Sequence, residues 1–146
     1  MDMKANGEFM HNRPILGSKS PKRLLIIEDD DLMRVFYRSL FNRMKERFTA
    51  TLESQGEGAL RRLQTRQFDA AVLDWDLPGL SGLDIIKDLR SHSGTRNLPV
   101  IMISGRSNTA DQVDALENGA DDFISKPFPV EVLMARLTAL LRRADR

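Results

Sequence analysis

The sequence contains no cysteine. Disulfide bridges, thiolate metal centres and cysteine nucleophiles are therefore excluded as sources of stability or chemistry. It also lacks any apolar run approaching the ~20 residues that a membrane-crossing helix needs. The N-terminus shows no apolar central stretch of the kind found in a secretory signal. Neither sign of charge dominates: 22 basic residues face 21 acidic ones, for a net charge of +1. That balance calls for neither nucleic acid nor an anionic membrane as partner. No internal repeat and no long low-complexity segment breaks up the chain. What is present is an ordinary globular composition, 41% hydrophobic and 29% charged. The 146 residues suit one domain and suffice to bury a core. A soluble cytoplasmic protein is expected.

Residues 1–21 carry Gly, Pro, Asn and Ser without periodicity and read as a flexible leader. Its first nine residues resemble an added tag, with Met10 as a native start. Residues 22–146 read as the folded domain. "LLII" at 24–27 is a short apolar strand. Over 31–45, Leu32, Val35, Phe36, Leu40 and Met44 recur at helical spacing. Strands are then predicted at 48–53, 68–73, 99–104 and 122–125, and helices at 57–66, 82–90, 109–118 and 129–143. Leu133, Leu137, Leu140 and Leu141 form the inward face of the last helix, and Asn118-Gly119 is a helix stop. Five strands alternating with five helices predict an α/β fold, a doubly wound parallel sheet with helices on both faces. Near-continuous apolar strands fit burial on both sides. The second strand, "FTATLE", has polar alternation and is expected at an edge.

Open parallel sheets bind ligands beyond the carboxyl ends of their strands. Strand one is followed by Glu28, Asp29, Asp30 and Asp31, and strand three by Asp74. Strand four ends in Ser104, and strand five leads to Lys126-Pro127. Each residue alone has a bland explanation; Asp30 or Asp31 suits a helix cap, for instance. Their coincidence at one edge points to a site. Carboxylates from adjacent strands repel unless a cation sits among them. Oxygen ligands without His or Cys favour a hard ion, and Mg²⁺ suits best. Such an aspartate, beside a lysine and a hydroxyl, is suited to receiving a phosphoryl group, a reaction that needs positioning and charge neutralisation. Asp74 is the candidate nucleophile.

"LLIIEDDDLMR", "VLDWDLPGLSG", "VIMISG" and "GADDFISKPF" resemble, in order and spacing, the signatures of the receiver domain of bacterial two-component response regulators. The resemblance covers roughly residues 22–143. It implies the flavodoxin-like strand order 2-1-3-4-5 and phosphotransfer to Asp74 from a sensor histidine kinase or phosphotransfer protein. It also implies Mg²⁺ held by Glu28, Asp29 and Asp74 together with the main-chain carbonyl of Asp76. Ser104 matches the switch hydroxyl and Lys126 the lysine that pairs with the phosphoryl group. Lys126-Pro127 is expected to be cis, as in relatives. Phe123 stands at the aromatic switch position, often Tyr; on activation it is expected to turn inward, without the phenol's hydrogen bond. Ser81 replaces a more common acidic residue and is expected to be a minor surface change. Asp76 and Arg106 occupy positions that set phosphoryl lifetime, and their opposite charges suggest a pair across the mouth of the site.

"GADDFISKPF" followed by "ARLTALLRR" resembles receivers of the winged-helix, DNA-binding subclass, yet no helix-turn-helix pattern follows in this sequence. A receiver from a transcription regulator and a stand-alone receiver both remain open. Either way, no direct nucleic-acid binding by this segment and no membrane association are expected. The subclass implies a homodimer through helix four, strand five and helix five, where Asp121, Asp122 and Arg136 match charged positions. Gln112 and Val132 depart from that pattern. Such a protein is a phosphoacceptor that takes part in its own phosphorylation and dephosphorylation rather than a conventional turnover enzyme. Two alternatives are a degenerate receiver acting as a constitutive interaction module and a phosphatase using Asp74-Trp75-Asp76. Against the phosphatase, Pro78-Gly79 follows the motif and the sequence has no insertion to cap the site.

Overall fold

A computed structural model describes residues 20–106 and 108–145; the predicted leader, apart from Ser20 and Pro21, lies outside the described residues. The chain runs β1 (Lys22–Ile27), α1 (Asp31–Asn42), β2 (Phe48–Glu53), α2 (Gly56–Thr65), β3 (Ala70–Asp74), α3 (Gly82–Ser91), β4 (Val100–Ser104), α4 (Thr109–Glu117), β5 (Asp122–Ser125) and α5 (Val130–Ala144). The strands form one parallel sheet in the order β2-β1-β3-β4-β5. The half-polar β2 is an edge strand, as its alternation predicts.

Side chains of a strand point alternately to the two faces of its sheet. Leu24, Ile26, Val72, Ile101 and Ile103 therefore pack with α1 and α5, burying Tyr37, Leu40, Leu133 and Leu137. Leu25, Ile27, Leu73 and Met102 face α2, α3 and α4, burying Ala59, Ile85, Ile86 and Ala115. Each large aliphatic side chain so buried contributes about 1.5–3 kcal/mol. Two cores, one on each face, clamp the central strands and leave their carboxyl ends as a rigid edge.

The first helix departs from its expected face. Leu32 and Val35 are 79% and 56% exposed. The stripe against the sheet is Met33, Phe36, Tyr37, Leu40, Phe41 and Met44. These positions follow the i, i+3, i+4, i+7 pattern of one helical face, which Leu32 and Val35 do not continue. Regular helix ends at Asn42, where the Arg43 N–H bonds Ser39 and Phe41 carbonyls. Other boundaries move by one or two residues. β3 begins at Ala70 and includes Asp74, because Asp74 pairs in register with Ile103 of β4.

Ser81 is more than a surface residue. It is the N-cap of α3, accepting from the Asp84 N–H at 3.2 Å, while the Asp84 carboxylate accepts from the Ser81 N–H at 3.2 Å. A serine makes this reciprocal box with an acid three residues on. Gly82 then begins the helix against the end of β3: a Cβ there would lie 2.4 Å from the Asp74 carbonyl oxygen. Gly79, with φ +77°, makes the turn after Pro78 that brings the chain back over the strand end.

Candidate functional site

The carboxyl edge gathers the residues expected there. Asp74 ends β3 and is buried; Glu28, directly after β1, is 2% exposed. Oxygens of Glu28, Asp29 and Asp74 lie within 4.8 Å of one another. Lys126 reaches between two of them, its Nζ 3.2 Å from Asp74 Oδ2 and 3.4 Å from Glu28 Oε1. The Lys126-Pro127 bond is cis, as expected. The Lys126 N–H donates to the Ser104 carbonyl at 2.8 Å, which ties the β5–α5 turn to the end of β4. Ser104 is fully buried, and its hydroxyl accepts from the Arg106 N–H at 2.9 Å.

The acidic run divides its work. Asp30 caps α1, accepting from the Met33 N–H at 2.9 Å. Asp31 pairs with Arg34 on the first turn of the helix, outside the carboxylate cluster. Arg34 also donates to the Glu28 carbonyl at 3.0 Å, so it braces the backbone that carries Glu28. Only Glu28 and Asp29 of the run face Asp74 closely.

Burial disfavours a charged Glu28 and, with Asp74 beside it, pushes its carboxyl up to about 7, although the Asp30 N–H and Lys126 pull the other way. Burial also works against the Lys126 ammonium, but Asp74 and Glu28 outweigh it and hold the lysine above its ordinary value. Tyr37, on α1 beneath the site, was not singled out in the sequence. Burial raises its phenol above the ordinary value, and Glu28 and Asp74 add to this. The pocket therefore holds more negative charge than one lysine balances. Three hard oxygen donors in this arrangement fit a divalent cation such as Mg²⁺.

Asp76 and Arg106 do meet. Arg106 donates to Asp76 Oδ1 from Nη2 at 2.9 Å and from Nε at 3.3 Å, and its Nη1 lies 3.7 Å from Asp111 of α4. The Asp76 N–H donates to Asp74 Oδ1 at 3.2 Å.

Phe123 lies beside the site, 8% exposed and edge-on to the Trp75 ring with centroids 6.4 Å apart. A phenyl ring has no hydroxyl that needs a polar partner, which suits it to this apolar neighbourhood. The charges on the expected dimer face are engaged within the chain. Asp122 pairs with Arg136 at 2.9 Å. Asp121 accepts from the Val100 N–H at 2.8 Å and from Arg90 at 3.2 Å.

A doubly wound parallel sheet that gathers carboxylates, a lysine and a buried serine at its carboxyl edge has the architecture of a flavodoxin-like domain with its site at the strand ends. Comparison with known proteins makes the class specific. The model of the response regulator receiver domain matches residues 24–138. The chain is 42% identical over 124 residues to the two-component response regulator PhoP of Pseudomonas aeruginosa, covering 84% of this chain and 53% of that protein. It is 39% identical over 122 residues to the phosphate regulon transcriptional regulatory protein PhoB of Rhizobium meliloti, with the same two shares, 84% and 53%. It thus spans about half the length of these curated relatives. The receiver domain of the Francisella response regulator 1452 superposes with a TM-score of 0.77 at 30% identity, covering 84% of this chain and 98% of that one. The BeF3-activated receiver domain of Klebsiella pneumoniae RstA does so with a TM-score of 0.75 at 27% identity, covering 82% and 98%. The chain belongs to the response regulator receiver domain family and is a receiver domain of two-component signal transduction. Among the described residues, no helix is long and apolar enough to cross a membrane.

Proposed function

We propose that Asp74 accepts a phosphoryl group from the phosphohistidine of a sensor histidine kinase or phosphotransfer protein, with residues 22–146 acting as the receiver. The observation that carries this is the Lys126 ammonium set 3.2 Å from an Asp74 carboxylate that two further acids crowd. An Asp74 oxygen attacks phosphorus as the bond to the donor imidazole nitrogen breaks. Lys126 neutralises the incoming phosphoryl group, and Ser104 donates its hydroxyl hydrogen to a phosphoryl oxygen. Glu28, Asp29, Asp74 and the Asp76 carbonyl would hold Mg²⁺, whose charge lets two anions approach each other. Asp76 and Arg106 then bear on how long the phosphoryl group lasts. A homodimer through α4, β5 and α5 draws support from Val113 and Leu116, two exposed apolar residues on α4.

Incubation with acetyl phosphate and Mg²⁺, followed by intact-mass measurement, tests the reading. Wild type should gain one phosphoryl group and Asp74→Asn none. Equal labelling of the variant would refute Asp74. A wild type that stays unlabelled with acetyl phosphate and with a cognate kinase would instead favour a constitutive interaction module.

A further inference from the structure

Trp75 directly follows Asp74 and is the only tryptophan in the sequence. It is buried, 6% exposed, where an aliphatic side chain would fill the same apolar neighbourhood. The indole ring has two aromatic-specific partners. Phe123 meets it at a 77° interplanar angle and fixes the plane of the ring. The Arg106 guanidinium lies over the ring, its Cζ 4.9 Å from the centroid. A cation is drawn to an aromatic face in a way no aliphatic surface matches. Arg106 needs such a seat: it reaches from the β4–α4 loop to Asp76 on one side and Asp111 on the other. An exposed ion pair alone fixes a long side chain weakly. A ring beneath the guanidinium restricts it to one plane and aims it at both carboxylates.

We propose that Trp75 is a positioning residue for the phosphoryl site: its indole face seats Arg106 across the mouth, where the guanidinium, joined to Asp76 and Asp111, screens the aspartyl phosphate from water. The inference rests on Asp74 as the phosphoacceptor. Trp75 makes no bond to the reacting atoms. The reaction it slows is hydrolysis, in which a water oxygen bonds to phosphorus and the Asp74 Oδ–P bond breaks. The Asp74 carboxylate is regenerated, and both protons of the water leave with dihydrogen phosphate.

The test is the rate of phosphoryl loss in Mg²⁺ buffer for wild type, Trp75→Leu, Trp75→Phe, Arg106→Ala and the Trp75→Leu/Arg106→Ala double variant. Trp75→Leu should speed the loss about two- to fivefold, the rate equivalent of the ~0.5–1 kcal/mol of a cation–ring contact whose cation stays open to solvent. Trp75→Phe should restore most of the wild-type lifetime. In the Arg106→Ala background, Trp75→Leu should add nothing. The same factor in both backgrounds would overturn the proposal. A second measurement needs neither phosphoryl group nor substitution of the tryptophan. Arg106→Ala should uncover the indole face, raising acrylamide quenching of the single tryptophan and shifting its emission to the red. Unchanged quenching and emission would overturn the seat. A wild type that takes up no phosphoryl group fails the Asp74 reading instead, and fluorescence still decides the seat.

Discussion

Replacing Glu28 with glutamine should flatten the metal-free protein's stability profile between about pH 4.5 and pH 7. Burial, with Asp74 beside it, lifts the Glu28 carboxyl from 4.5 to about 7 in the folded state. A raised carboxyl is bound to its proton more tightly when folded than when unfolded. Below pH 4.5 both states are protonated and nothing is lost. Across the window the folded state holds the extra proton, so stability falls as pH rises. Above pH 7 the full cost of a buried, crowded carboxylate is present. A displacement from 4.5 to about 7, at 1.36 kcal/mol per pH unit, gives a cost of about 3 kcal/mol. The Lys126 shift acts above its ordinary value, at alkaline pH, and leaves this window alone. Urea denaturation in EDTA buffers from about pH 4.5 to 8 measures the effect. Wild type should lose about 3 kcal/mol relative to Glu28→Gln over that range. Mg²⁺ should recover part of the loss at pH 8 and little at pH 5. Parallel profiles for the two proteins, or a Mg²⁺ effect independent of pH, would refute the electrostatic account.

Asp29→Ala should weaken Mg²⁺ binding by roughly ten- to a hundredfold. A unit charge at ~4 Å near a protein surface is worth ~4 kcal/mol, and hydration of the ion offsets part of it. Asp31→Ala, which removes only the Arg34 pair, should leave binding near wild type; calorimetric titration compares the two, and a stronger effect at Asp31 would contradict the geometry. Phe123→Ala should destabilise the fold by about 3 kcal/mol, the cost of emptying a buried aromatic site, as read by urea denaturation. It should also weaken the phosphorylation-dependent NMR shifts of α5. Gly82→Ala should cost about 1–3 kcal/mol, as overpacking does, because the clash is with the Asp74 backbone and not a yielding side chain. It should also slow phosphoryl uptake, which an uptake time course measures; wild-type stability and uptake together would count against that contact.

Much of the site was legible because strand ends announce themselves. Apolar runs stopping at Glu28, Asp74 and Ser104 mark where the sheet meets solvent, and a parallel sheet puts those stops on one edge. The α1 face was harder to see. Leu32 and Val35 are apolar, yet the helix turns them outward, and Tyr37 carries a hydroxyl that disguised a fully buried residue. Hydropathy ranks residues one at a time, whereas burial follows the phase of the helix. Phe123 shows a different gap. Its position resembles a switch position of relatives, but its packing depends on the Trp75 ring beside it. Arg90 carried no sequence signal at all. It donates to the carbonyls of Thr95, Arg96, Leu98 and Gly119, so its role exists only after the loops have closed around it.

The site also helps specify the fold that builds it. In a sheet buried on both faces, alternating polarity cannot set the register of a central strand, since either phase is apolar. β3 presents Ala70, Ala71, Val72 and Leu73, all buried, and a slip would still leave apolar side chains on both faces. Its end is different. With Asp74 opposite Ile103, the carboxylate reaches Lys126 and the edge. A slip that drew Asp74 inward would strip it of that lysine and bury an unpaired charge, which costs far more than a misplaced methyl group. A slip outward would pull Leu73 from the core and break the Trp75 N–H bond to the Ile103 carbonyl, 3.0 Å long in this register. Asp74, the proposed phosphoacceptor, is thus also the register mark of its strand. Asp74→Asn keeps a polar terminus there, whereas Asp74→Leu would remove the penalty that opposes the inward slip.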